Sequence, residues 1–142
     1  MKKKGLITVT VCLIVIGIAV SAVSGRKPYK NLEASDIVSA AVHLIPPDKT
    51  IQITEMEELV SYLNEVVIYN EDDSYRESCG QAVIFTLTMA DGSREEIMAY
   101  NPFIVINGTG YKTKYEPCQK LNGYANKLWK SQADGTDKSD CY

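Results

Sequence analysis

The sequence predicts an α+β fold: a single antiparallel sheet of about five to seven strands with two helices packed on one face, preceded by an N-terminal transmembrane helix. Three observations carry this. An apolar run with no charge fills residues 5–24. Alternating apolar segments meet at Asp91-Gly92 and again at Asn107-Gly108, the turn chemistry of β-hairpins. A helical apolar period begins at Thr54-Glu55-Met56-Glu57.

At 1.5 Å rise per residue the run matches a hydrocarbon core about 30 Å thick. Lys2, Lys3 and Lys4 precede it, and the positive-inside bias holds them in the cytoplasm, so the remainder of the chain is expected outside. The same pattern, with Ser21, Ala22 and Ser24 at its end, also describes a secretory signal. Retention gives a single-pass anchor over residues 1–27, and cleavage gives a secreted domain. Either way, residues 28–142 leave the cytoplasm.

Of the 142 residues, the first 27 hold five of the fifteen basic side chains and none of the eighteen acidic ones, so the exported part carries −8. That balance excludes nucleic acid and anionic polymers as partners, which need clustered Lys and Arg. Residues 28–142 suffice for one domain with its own core.

Pro28 to Ser35 reads as a polar tether. Ile37 to Ile45 is a first strand, halted by Pro46-Pro47-Asp48, and Thr50 to Ile53 a second. Thr54 and Glu57 form a capping box for a helix to about Glu65, whose apolar face is Met56, Leu59, Val60 and Leu63. Val66 to Tyr69 is read as strand and Asn70 to Ser74 as an acidic loop. Gln81 to Ala90 and Glu95 to Tyr100 pair across Asp91-Gly92, for which type I′ geometry is expected. Phe103 to Ile106 and Gly110 to Lys114 pair across Asn107-Gly108. A second helix opens at Glu116-Pro117, with Pro117 suited to the first turn, and the domain closes near Trp129. The polar residues 130–142 read as a disordered tail.

Three cysteines lie beyond the apolar run, so one must be left over. In an oxidising compartment Cys79 and Cys118 are the better pair, worth about 4 kcal/mol by loop closure. In a reducing one all three stay thiols. His43 alone cannot make a zinc site. Glu71-Asp72-Asp73 lacks the ligand spacing of a calcium loop. Glu95 and Glu96, adjacent on a strand, face opposite ways and cannot flank one glycosidic bond. No catalytic residue, metal or cofactor is therefore expected. The tyrosines are the suggestive excess: Tyr100, Phe103, Tyr111 and Tyr115 mark a possible partner surface on the last hairpin.

Pro46-Pro47-Asp48-Lys49-Thr50, Tyr100-Asn101-Pro102-Phe103 and Ile106-Asn107-Gly108-Thr109-Gly110-Tyr111, behind an N-terminal anchor, resemble small membrane-anchored or secreted proteins of Gram-positive gut anaerobes. That resemblance would cover most of residues 36–129 and implies no activity. The function expected is a membrane-tethered extracytoplasmic binding or interaction module without catalysis. The alternatives are a sensor or inhibitor domain docking an extracytoplasmic enzyme and, last, a small hydrolase.

Overall fold

A computed structural model describes residues 25–78 and 80–136. They form one antiparallel seven-stranded sheet with two helices. The strands are β1 (Ile37–Ile45), β2 (Lys49–Ile53), β3 (Ile68–Glu71), β4 (Ala82–Met89), β5 (Arg94–Tyr100), β6 (Phe103–Ile106) and β7 (Thr109–Thr113), in the spatial order β2-β1-β4-β5-β6-β7-β3. The helices are α1 (Met56–Glu65) and α2 (Tyr115–Thr136). Among the described residues no helix is long and apolar enough to cross a membrane. The expected span, residues 5–24, lies outside them.

Alternation along the strands separates two faces. Val42, Leu44, Val83, Phe85, Leu87 and Ile97 are fully buried on the inner one, and Leu59 and Leu63 of α1 with Leu121 and Ala125 of α2 join them in one core. Phe85 stacks near Tyr124 of α2, whose ring also meets Tyr62 of α1 at 5.2 Å between centroids. Lys127–Glu58 and Lys120–Glu65 link the helices at their exposed edges.

Several boundaries differ from those the sequence predicts, each for a local reason. No capping box forms at Thr54: Glu55 is the N-cap, without a side-chain cap bond, and α1 starts at Met56. Val66, expected in a strand, closes α1 instead and is fully buried, so β3 begins at Ile68. At Asp91-Gly92 only Gly92 has positive φ, and its N–H bonds Met89 O. This is a type I turn with Gly92 as the left-handed residue of a three-residue loop, not the type I′ turn. The Asp91 carboxylate accepts from Ser93 N and Oγ and so fixes that turn. At Asn107-Gly108 both residues have positive φ and Ile106 pairs with Thr109, as type I′ requires. Helix α2 runs past Lys130 to Thr136, beyond the expected end of order.

The expected tether is the largest departure. Arg26 N and O bond Ile68 O and N at 2.7 and 2.8 Å, adding a bridge to the β3 edge. Tyr29 is buried in the core at 7% exposure, and a short 3₁₀ turn, Ala34–Asp36, leads into β1. Residues 26–36 are thus a wall of the fold.

On the outer face the crossover from β3 to β4 lies over β7. Tyr75 sits where a side chain at position 110 would stand: a Cβ on Gly110 would come within 2.6 Å of its ring and 2.5 Å of Asp72 O. Asp73 Oδ1 accepts from Gly110 N, Asp72 caps the turn at Ser74, and Lys112 lies 3.5 Å from Asp72. The acidic cluster therefore fastens the crossover to the sheet.

Candidate functional site

The four aromatic residues of the expected partner surface are not brought together. Tyr100 and Phe103 are cross-strand neighbours on the outer face, while Tyr111 is in register with Ile104 on the inner face. Phe103 is buried at 8% exposure and offers little area to a partner. Tyr115, at 60% exposure, stands at the start of α2. The Cys118 thiol is free and fully buried, donates to Phe103 O at 3.4 Å, and is pushed up to about 12 by burial. Cys79, its expected partner, lies outside the described residues. His43 bonds Thr50 Oγ1 through Nδ1 and Asp48 through Nε2 on the outer face. No group of three or more potential metal ligands occurs among the described residues.

What the fold does assemble is a recess of about 300 Å³ between the 26–36 wall and one corner of the inner sheet face. The wall contributes Lys27, Tyr29, Lys30 and Asp36, and the sheet contributes Met89 and Glu95. Glu95 arrives there because it shares the parity of Ile97 and Ala99 and pairs with Leu87, so its side chain is on the apolar face. Glu96, one residue on, is exposed on the other face. A second recess of about 290 Å³ adjoins the first through Asp36 and Met89 and reaches the Asp91 turn.

The electrostatics of this corner are unusual within the fold. The Tyr29 hydroxyl and Glu95 Oε2 are both buried, and neither makes a short hydrogen bond within the described residues. Burial pushes the Tyr29 phenol far above its usual range, and the nearby Glu95 carboxylate adds to the shift. Glu95 acts on the phenol both through its charge and as the acceptor of a long side-chain hydrogen bond from the Tyr29 hydroxyl. Unpaired buried oxygens also occur on Asn64, Asn101 and Tyr124, but Glu95 is the only ionisable carboxylate of the set. Leaving such a group unmatched costs about 1–3 kcal/mol, and more when it is charged.

The position of Glu95 was legible in principle, since a carboxylate in the register of Ile97 and Ala99 is out of place on an apolar face. Tyr29 gave a weaker signal, a large aromatic in a stretch otherwise composed as linker. No family model, no curated protein and no solved structure matches this chain.

Proposed function

We propose that the chain is a membrane-tethered, extracytoplasmic binding module that holds a ligand and breaks no bond, with residues 5–24 as its anchor and the Tyr29–Glu95 recess as its ligand site. The observation that supports this most strongly is a pair of buried oxygens, with no short hydrogen bond and no cationic partner, lining a recess of ligand size. Small-molecule sites are concave, begin at about 300 Å³, and carry a few polar groups that await a partner.

The tethering reading is supported by where the fold begins. Arg26, two residues beyond the apolar run, is already paired with the sheet edge. An anchor ending at Ser24 would hold the domain, and the recess wall with it, directly at the outer membrane surface.

A reporter that is active only outside the cytosol, fused to Tyr142, tests the location. The expected result is reporter activity in a membrane fraction that resists alkaline extraction. Recovery in the medium would mean cleavage and secretion, and a silent reporter would contradict export. For the binding reading, the full chain in detergent micelles should show a melting temperature that rises with the concentration of a bound small molecule, as mass action requires. Turnover of that molecule would contradict a module without catalysis.

A further inference from the structure

We infer that the recess takes a small amphoteric ligand carrying an ammonium group and a carboxylate or phosphate a few bonds apart; this rests on reading the recess as a binding site. The argument begins with charges that line one cavity and do not pair. The exposed Lys27 and Lys30 and also Asp36 come from the wall and Glu95 from the sheet, yet none of the ion pairs among the described residues involves any of the four. Opposite charges that share a recess and stay apart leave room for a molecule that satisfies both.

Donor and acceptor chemistry then assigns the ends. Glu95 is acceptor-only when ionised, and the donor that faces it is the neutral Tyr29 hydroxyl, not a cation. The Tyr29 hydroxyl can accept a further N–H beside it. An ammonium has several N–H donors and carries the positive charge that this pair lacks. The lysine ammoniums are donors only and call for an anionic oxygen. Met89 and Leu87 give the recess an apolar side. A volume of about 300 Å³ corresponds to roughly ten water molecules, enough for an α-amino acid or an ethanolamine phosphate group and too small for a long peptide. A quaternary ammonium has no N–H to offer Glu95, so the ligand nitrogen is primary or secondary.

Calorimetric titration of the full chain in maltoside micelles tests this with four probes: L-leucine, O-phosphoethanolamine, isoamylamine and 4-methylpentanoate. Either zwitterion should bind more tightly than both single-charge probes by roughly ten-fold, the value of one charge-assisted hydrogen bond. Glu95→Gln, and separately the pair Lys27→Gln and Lys30→Gln, should each weaken that binding by a similar factor with the melting temperature retained. The methyl carbon resonance of Met89 should shift on binding while that of Met98, on the outer face, stays put. If leucine binds, the ligand is a free amino acid. If only O-phosphoethanolamine binds, and phosphatidylethanolamine nanodiscs compete with it while phosphatidylcholine nanodiscs do not, the source is a lipid headgroup. Equal binding of isoamylamine would overturn the amphoteric ligand but leave the recess a binding site. Absence of binding by all four probes, or a Met89 resonance that never moves, would overturn both.

Discussion

Beneath the two helices the inner sheet face is closed by Leu59, Leu63, Leu121 and Ala125, all fully buried against Phe85 and its neighbours. Beneath the 26–36 wall the same face carries Glu95 and Tyr29, whose buried oxygens make only a long contact with each other. The first region does what a fold needs: apolar surface leaves water and packs to interior density. The second sets a charge where the pattern of its strand calls for a hydrophobe. Stability explains one region and is diminished by the other, so the second is where function is to be sought.

Substitutions should separate the two. Phe85→Ala removes a fully buried ring from the helix-covered region and should lower unfolding free energy by about 3–5 kcal/mol in denaturant titration. Gly110→Ala pushes a methyl against Asp72 O and the Tyr75 ring and should cost about 1–3 kcal/mol by the same titration, the crossover being unable to stay seated. Tyr29→Phe deletes a buried hydroxyl whose contact is a long one to Glu95 and should change stability by less than about 1 kcal/mol in either direction.

The smallest effect at neutral pH is a titration. Cys118 and Tyr124 are both raised to about 12, chiefly by burial, from ordinary values of 9.0 and 10.0. Between each unfolded and folded value the native state holds a proton that the unfolded chain has lost. Stability is therefore level below about pH 9 and falls as pH rises toward 12. Tyr124→Phe should flatten the upper part of that fall in melting curves recorded from pH 8 to about 11, leaving the contributions of Cys118 and of Tyr29, which is raised in the same direction.

The sheet was readable because it rests on local chemistry. Asn107-Gly108 fixes a type I′ turn through backbone preference alone, and the alternation of Val83, Phe85 and Leu87 fixes which side faces inward. Asp91-Gly92 marked the turn but not its type, since the Asp91 side chain bonds to Ser93 and takes the loop one residue longer. The capping box at Thr54 failed because Glu55 became the N-cap. The recess escaped the sequence for a different reason. Its wall is held by a two-bond bridge from Arg26 to Ile68, by the Ala90 N–H donating to Asp36 O, and by Tyr29, Leu32 and Ala34 packing on the core, all long-range contacts that composition does not encode. A polar, proline-bearing stretch reads as linker until a sheet edge is there to receive it.

Glu95→Leu gives the sharpest test of whether the recess exists for binding, measured as the denaturant midpoint of the full chain. A carboxylate maintained for a ligand contributes nothing to the empty fold, so the midpoint should hold or rise. A stability loss of more than about 1 kcal/mol would show Glu95 to be a structural group with a partner of its own, and would contradict the account.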